Sequence, residues 1–534
     1  MKKFVLALGF LVMASLAVKV SAQINCSDPV STVSGQVRGA DAETPGSCVW
    51  RGMPFAAPPV KDLRWKAPQP VPTWSGVREA KIFGPLCMQK GLTSGEKLTS
   101  KAGMSEDCLY LNVWRPKKEG VFPVMVWIHG GGYTGGVSST PMYWGDRLAT
   151  AGDVVVVSTN YRLNIFGFFA SPELRSEDPN KSTGNYAFLD QVAALKWVRD
   201  NIKNFGGDPN NVTIFGESAG GFSICTLVAT PISKGLYKRA IMESGGCNMS
   251  EDLEDGYKAA KLTTDKVGCA LDDLKCLRAL PAKKILAAMP GGMAQHGNIP
   301  HHDGYVLTGT PLAMIESGNY NHVPFLAGTN REEFGNMLRL YPKISHIRPK
   351  DYEKPLVETM KFSQADADEF AKLYPLSKNQ NRPVVAYGHA VGADAIFACP
   401  TYDGILSASK QDTPTWLYRF DYDHMSMGKY FGAAHSFEMP FIFDAFDRMP
   451  SNLFYNDKNI APAKKLGKVM QGYWLNFAKT GNPNGPGLPD WPLFTPATQS
   501  TKIFDNEVRT ENAGLADRCA FWGKHSMKER PSLK

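Results

Sequence analysis

The chain has 534 residues, of which 43% are hydrophobic and 21% charged, and a formal net charge of +8. No run of Lys and Arg interleaved with aromatic residues indicates nucleic-acid binding. No internal repeat, charge block or low-complexity linker marks a boundary, which favours one large domain over several.

The first 22 residues have the pattern of a cleavable signal peptide. Lys2 and Lys3 precede an apolar stretch over residues 4–18, and the small residues Ser21 and Ala22 end the segment. The apolar stretch is short for a transmembrane helix, and no later run of about 18 apolar residues follows. We expect a secreted or periplasmic chain that comprises residues 23–534 as a single domain without a membrane span.

Apolar runs and helical periodicities alternate along the chain. Unbroken apolar runs predict strands covered on both faces of a sheet, at 124–128, 154–158, 212–215, 240–242 and 323–327. Residues 185–204 and 462–478 have apolar residues at spacings of three and four, which predicts helices. Together they predict an α/β fold with a large, mostly parallel sheet covered by helices on both faces. Residues 250–300 and 345–400 indicate helical and loop insertions that would form an active-site gorge.

The segment His129-Gly-Gly-Gly-Tyr133 follows the strand that ends at Ile128. Consecutive glycines leave backbone N–H groups accessible, and in hydrolases such a loop supplies oxyanion-hole donors. A phosphate-binding loop would need Lys followed directly by Ser or Thr after the glycines, and no such pair is present there. A plain flexible loop is the remaining alternative.

Residues 211–221, NVTIFGESAGG, are the most informative stretch. An apolar strand runs into Gly-x-Ser-x-Gly and then into small residues, the pattern of a nucleophile elbow that exposes the hydroxyl of Ser218. The following helix directs its positive end toward the site where an oxyanion would form. A Gly/Ser turn without chemistry is the alternative for the pentapeptide alone.

A serine nucleophile needs a base and an acid, which follow it along the chain in the order Ser, Asp/Glu, His. Glu333 follows a predicted strand, and the adjacent Glu332 competes on position alone. His435 lies between small residues and an apolar run, and His424, among carboxylates, is the second choice. The other histidines after the acid are His346, His389 and His525.

Ten cysteines in an exported chain favour disulfides over metal ligands. There is no Cys-x-x-Cys and no Cys/His cluster with zinc spacing, and the adjacent His301 and His302 fit a loop pair. No metal or organic cofactor is implied.

The chain resembles the type-B carboxylesterase/cholinesterase family of α/β-hydrolases from about Gly35 to Trp522. The segments that carry the resemblance are WRGMPFAAPP (50–59), SEDCLYLNVW (105–114), HGGGY (129–133), NYRLNIFGF (160–168), FGGDPNNVTIFGESAGG (205–221) and HSFEMPFIF (435–443). The resemblance implies a nucleophile at Ser218, an acid at Glu333 and a base at His435. It implies oxyanion donors at Gly131, Gly132 and Ala219.

The resemblance also implies three disulfides. They would join Cys87 to Cys108, Cys269 to Cys276, and Cys399 to Cys519. Cys26 and Cys48 remain near each other and would form a fourth bridge. Cys225 is interpreted as a small buried residue and Cys247 has no evident partner, although a bridge between these two stays open.

Departures from the family concern the substrate. Residues 88–107 lack the tryptophan on which cholinesterases stack choline, which argues against a cholinesterase. The expected acyl-pocket loop, GGMAQHGNIPHHDG at 291–304, is small and polar, so Ala294 and His296 are candidate pocket residues. Glu217, next to Ser218, is a third candidate that would add negative charge near the pocket, and a buried structural carboxylate is the alternative. Phe334 replaces the family's glycine after the acid.

We therefore expect a secreted serine carboxylesterase that acts on small-molecule esters through an acyl-enzyme. The same machinery acting on amides, carbamates, lipids or polyesters is an alternative, as is a non-enzymatic adhesion protein of this fold. The intact Ser, Glu and His argue against the adhesion protein.

Overall fold

The computed structural model describes residues 23–90, 102–290, 297–334, 345–449 and 454–525. The predicted signal peptide, residues 1–22, lies outside the described residues, as do the predicted pocket residues Ala294 and His296.

Fourteen strands lie in the described part of the chain. They are β1 (Val30–Thr32), β2 (Gly35–Arg38), β3 (Ala40–Asp41), β4 (Ser47–Pro54), β5 (Val77–Glu79), β6 (Tyr110–Pro116), β7 (Phe122–Ile128), β8 (Val155–Thr159), β9 (Gly207–Glu217), β10 (Arg239–Glu243), β11 (Phe325–Asn330), β12 (Thr415–Phe420), β13 (Ser500–Phe504) and β14 (Arg509–Asn512). The five predicted strands correspond to β7 through β11.

Eleven of these strands form one sheet in the order β14-β13-β12-β11-β10-β9-β7-β8-β6-β4-β3. The pairs from β13 to β8 across the centre are parallel, and those at the two edges are antiparallel. The strands β1, β2 and β5 form a separate small sheet. Because parallel strands share one direction, the carboxyl ends of β7, β9, β10 and β11 meet at a single edge, where α/β sheets bind ligands.

Helices connect and cover the strands. The α-helices are Asp146–Gly152, Asn164–Phe168, Pro172–Glu177, Tyr186–Asn201, Ala219–Ala229, Leu253–Val267, Leu274–Ala279, Ala282–Ala288, Pro311–Glu316, Lys354–Glu358, Gln364–Leu373, Pro383–Tyr387, Cys399–Ser409, Gly428–Phe431, Met439–Phe443, Ile460–Thr480 and Ala516–Lys524. Gly388–Ala398 is a π-helix. Short 3₁₀ turns lie at Lys61–Leu63, Pro141–Tyr143, Ile202–Phe205, Pro231–Ser233, Pro349–Asp351 and Leu376–Lys378. The two predicted helices are present as Tyr186–Asn201 and Ile460–Thr480.

The sheet separates two hydrophobic cores, and β7 shows how the sequence builds both. Val124, Val126 and Ile128 belong to the core on one face, whereas Met125 and Trp127 belong to the core on the other. Successive side chains of a strand point to opposite faces, so a strand buried on both faces needs an uninterrupted apolar run. The predicted fold class is therefore confirmed, with helices on both faces of a mostly parallel sheet.

Five disulfides lie in the described residues. They join Cys26 to Cys48, Cys87 to Cys108, Cys225 to Cys247, Cys269 to Cys276, and Cys399 to Cys519. The expectation that Cys225 is only a small buried residue and that Cys247 has no partner is wrong. The two thiols meet because the helix Ala219–Ala229 packs beside β10 and the segment that follows it. No helix of the described residues is long and apolar enough to cross a membrane.

Candidate active site

Ser218 lies at a sharp turn between β9 and the helix Ala219–Ala229. Its backbone has φ 59° and ψ −124°, a region that residues with a side chain rarely adopt. The turn is held by two hydrogen bonds: the Ser218 N–H donates to the carbonyl of Glu243, and the Phe222 N–H donates to the carbonyl of Ser218. A Cβ at Gly220 would lie 2.0 Å from the carbonyl oxygen of Ile128, so only glycine fits against β7.

Glu333 and His435 meet at the carboxyl edge of the sheet. Nδ1 of His435 lies 2.6 Å from Oε2 of Glu333, and the other carboxylate oxygen accepts the N–H of Asn330 at 2.7 Å. Glu333 also forms a β-bridge with Ala434, and the N–H of His435 donates to the Glu333 carbonyl. Backbone and side chain together fix the imidazole against this carboxylate.

Glu332, the competing candidate for the acid, points elsewhere. Its carboxylate accepts from Nε of Arg331 at 2.6 Å and from the N–H of Ala433 at 2.7 Å. The Glu332 carboxylate therefore holds the backbone just before His435, and its hydrogen bonds go to Arg331 and Ala433 rather than to the imidazole.

The other candidate histidines have different partners. His424 is half-exposed and lies near Asp505, and His389 contacts the side chain of Asn379. His346 contacts Ser345, and His525 lies beside Asp366.

His435 also contacts the residue that precedes Ser218. Its Nε2 lies 3.1 Å from Oε1 of Glu217, which accepts a hydrogen bond from the hydroxyl of Ser436 at 2.6 Å. Among the described residues, Nε2 has no partner with hydrogen-bond geometry. Burial opposes the charged imidazolium, but Glu217 and Glu333 outweigh it and raise the pKa of His435 to about 9.

Two phenylalanines flank the imidazole of His435. The ring centroids of Phe334 and Phe397 lie 4.4 and 4.8 Å from it. Phe397 belongs to the π-helix Gly388–Ala398, an element often found at functional sites. The sequence analysis identifies Phe334 as a departure from the family pattern, but it does not identify Phe397. No local sequence pattern indicates that a residue of this insertion would lie beside His435.

A buried acidic cluster lies around these residues. Glu438 accepts hydrogen bonds from the side chains of Asn330 and Ser244, and Glu243 accepts from the indole N–H of Trp474.

Burial, followed by the charges of Glu217 and Glu333, raises the pKa of Glu438 to about 8. Burial also raises the pKa of Glu243 well above its usual range. Neither Glu243 nor Glu438 was predicted from the sequence, because the cluster forms only when β10 and the segment after His435 come together.

The glycine loop packs directly against the elbow. A Cβ at Gly130 would lie 2.8 Å from the Cβ of Ser218. The carbonyl of Gly131 turns inward and accepts the N–H groups of Thr134 and Gly135 at 3.1 and 3.0 Å. Gly131 has φ 112°, which an L-residue with a side chain would not adopt readily. The structure thus places Gly130 directly against Ser218, and the predicted donors Gly131 and Gly132 follow Gly130 in the same loop.

Comparisons with known proteins agree with this architecture. The sequence model of the carboxylesterase family matches residues 27–522. Para-nitrobenzyl esterase of Bacillus subtilis (strain 168) is 37% identical over 496 residues, covering 90% of this chain and 96% of that protein. Liver carboxylesterase 1F of Rattus norvegicus is 34% identical over 582 aligned residues, covering 98% and 99%.

The solved carboxylesterase of Geobacillus stearothermophilus superposes with a TM-score of 0.79 at 32% identity, covering 92% of this chain and 99% of that one. The sheet order and the strand–turn–helix around Ser218 define an α/β-hydrolase fold. The chain belongs to the carboxylesterase family and is a carboxylic ester hydrolase.

Proposed function

We propose that the protein is an exported serine carboxylesterase in which Ser218, His435 and Glu333 form the catalytic triad. The observation that carries this proposal is the position of the His435 imidazole. Its Nδ1 faces Glu333 at 2.6 Å, while its Nε2 faces the residue next to Ser218 and keeps no hydrogen bond within the described residues. The proposal takes this nitrogen as the one that accepts the proton of the Ser218 hydroxyl.

In the proposed reaction, Nε2 of His435 takes the proton of Ser218 as Oγ attacks the ester carbonyl carbon. The N–H groups of Gly131, Gly132 and Ala219 bind the oxyanion of the tetrahedral intermediate. The bond to the alcohol breaks, and the alcohol leaves with the proton from His435. A water molecule then attacks the acyl-enzyme with His435 again as base, which releases the acid and restores Ser218.

Two further residues have supporting parts in this proposal. Glu333 keeps the imidazole oriented and stabilises its protonated form. Glu217 adds negative charge beside the pocket, where Ala294 and His296 remain the proposed acyl-pocket residues. We retain residues 23–534 as a single domain and residues 1–22 as a signal peptide. The five disulfides favour an oxidising compartment, as expected for a secreted or periplasmic protein.

The test is hydrolysis of short- and medium-chain p-nitrophenyl esters by the mature chain, beside Ser218→Ala and the control Ser409→Ala. Ser409 lies in the helix Cys399–Ser409, where its hydroxyl only caps a local carbonyl. We expect turnover by the wild type and the control, and none above background by Ser218→Ala. Equal turnover by all three proteins would refute the assignment of Ser218. Adding matched amides and carbamates to the panel separates the alternative substrate classes.

A further inference from the structure

The glycine loop, defined here as residues 129–138, is held by a buried glutamine side chain outside the triad. Gln89 is 5% exposed, and its amide pairs with the backbone of Gly136 in both directions. Oε1 accepts the Gly136 N–H at 3.0 Å, and Nε2 donates to the Gly136 carbonyl at 3.0 Å. An amide that fills both roles fixes the position and the direction of the loop backbone.

A second buried amide holds the end of the same loop. Oδ1 of Asn160 accepts both the N–H and the hydroxyl of Ser138, at 3.0 and 2.8 Å. Asn160 follows β8, so it anchors the loop to the central sheet rather than to a surface segment. Gly136 and Ser138 are thus fixed by different elements.

Both amides also contact the backbone of the two cysteines that form the Cys87–Cys108 disulfide. Nε2 of Gln89 donates to the carbonyl of Cys87 at 3.1 Å, and Nδ2 of Asn160 donates to the carbonyl of Cys108 at 3.2 Å. The bridge joins these two cysteines covalently. The glycine loop is therefore linked at two points, through Gln89 and Asn160, to the backbone of two cysteines that a disulfide joins.

This coupling matters because the inward turn of the Gly131 carbonyl depends on the path of the loop as far as Gly136. The N–H of Gly135 donates to that carbonyl, and Gly135 directly precedes the residue that Gln89 holds. A shift at Gly136 would therefore move the peptide groups of Gly131 and Gly132, which are the proposed oxyanion donors. Oxyanion donors act through their preorganised positions, and loss of one such donor lowers kcat by about 10²–10³.

We propose that Gln89 and Asn160 are positioning residues that align the oxyanion donors of the glycine loop from the Cys87–Cys108 bridge. The proposal rests on the proposed function, since it takes Gly131 and Gly132 as donors to an oxyanion on the Ser218 adduct. Both amides are buried and bonded to the loop, so each would act through the loop backbone. Their substitution should weaken transition-state binding while ground-state binding stays the same.

The experiment measures kcat and KM for a p-nitrophenyl ester, normalised to sites titrated with a fluorophosphonate. It also measures Ki for a trifluoromethyl ketone, which forms a tetrahedral adduct that carries an oxyanion. For Gln89→Leu and Asn160→Leu we expect kcat to fall by at least about tenfold, with KM within about twofold and Ki raised in parallel with the loss of kcat. Gln89→Glu, which can still accept the Gly136 N–H, should fall between Gln89→Leu and the wild type.

The matched control is Asn321→Leu. The Asn321 amide is also buried and donates to the backbone carbonyls of Leu227, Val228 and Thr230, at the far end of the helix that begins after Ser218. We expect a lower melting temperature and an unchanged Ki per titrated site.

Two results would overturn the positioning role. The first is that Gln89→Leu and Asn160→Leu keep the kcat and the Ki of the wild type per titrated site. The second is that these variants lose only melting temperature and the fraction of active protein. If Gln89→Leu does not fold, the isosteric Gln89→Glu decides by the same two constants. A wild-type enzyme that the fluorophosphonate does not label at Ser218 would instead refute the proposed function, so the two failures are distinguishable.

Discussion

Oε2 of Glu333 lies 2.6 Å from Nδ1 of His435, and the backbone N–H of His435 donates to the carbonyl of the same glutamate. The two residues are 102 positions apart, yet they are joined through both side chain and main chain. A carboxylate held at this distance selects the tautomer with the proton on Nδ1 and stabilises the imidazolium that forms during proton transfer.

Glu333→Gln preserves the shape of the acid and removes its charge. We expect kcat/KM to fall by roughly 10³–10⁴, because the amide no longer stabilises the imidazolium and can hold the wrong tautomer. The control is Glu332→Gln, which weakens the contacts with Arg331 and Ala433 but leaves His435 paired. Steady-state kinetics on a p-nitrophenyl ester compare them, and equal losses in the two variants would contradict the assignment of the acid.

The charge of Glu217 should affect the pH dependence of the activity, because it raises the pKa of the proposed base, His435. His435 has a raised pKa of about 9 and must be neutral to accept a proton, so kcat/KM should rise with pH up to about that value. Glu217→Gln removes a negative charge that favours the imidazolium. The pKa of His435 therefore falls, and the rising limb moves to lower pH. pH–rate profiles test this, with the exposed Glu507→Gln as control; an unmoved limb in Glu217→Gln would show that this carboxylate does not tune the base.

A comparison of two disulfides of equal sequence separation can distinguish an effect on stability from an effect on activity. Cys26–Cys48 and Cys225–Cys247 each have a sequence separation of 22 residues, so loop entropy predicts a similar loss of about 3 kcal/mol when either is replaced by alanines. Only the second bridge ties the helix after Ser218 to the segment after β10. That segment directly follows Glu243, the last residue of β10, whose carbonyl accepts the Ser218 N–H.

We expect the Cys225→Ala/Cys247→Ala double variant to lose kcat/KM as well as stability. The Cys26→Ala/Cys48→Ala double variant should lose stability alone. Urea unfolding and ester kinetics measure the two effects, and full activity per titrated site after removal of Cys225–Cys247 would show that this bridge does not position the elbow.

The elbow should not tolerate a methyl group at Gly220. Gly220→Ala would place Cβ 2.0 Å from the carbonyl oxygen of Ile128, a backbone atom that cannot move without disturbing β7. We expect a loss of more than about 4 kcal/mol or a failure to fold. Gly523→Ala is the matched control, since no atom lies within 4 Å of the position that its methyl group would take and a helical alanine gains up to about 1 kcal/mol. A soluble Gly220→Ala protein of normal melting temperature would contradict the close approach.

The fold could be predicted where local sequence decides the structure. The apolar runs of β7 to β11 require burial on both faces of a sheet. The small residues around Ser218 are those that a tight strand-to-helix turn requires. The antiparallel edge strands were not predicted. The parallel strands β12 and β13 were not predicted either. These strands lack a long uninterrupted apolar run: Arg419 interrupts β12, and β14 has no apolar residue.

The site was predictable only in part, because several of its contacts depend on backbone geometry. Sequence position alone could not separate Glu332 from Glu333. The β-bridge to Ala434 and the positive φ of 34° at Glu333 decide which of the two carboxylates faces His435. Likewise, Phe397 reaches the imidazole, and Cys225 pairs with Cys247, only after distant elements have packed together.

Whether Ser218 is the nucleophile is decided by the site of covalent labelling by a fluorophosphonate, mapped by peptide mass spectrometry on the disulfide-intact mature chain. We predict one phosphonyl group per molecule, on Ser218, and no label on Ser218→Ala or on wild-type protein that has been denatured first. Labelling at another residue, such as Ser244 beside the acidic cluster, or no labelling of an enzyme that hydrolyses esters, would contradict the proposed triad.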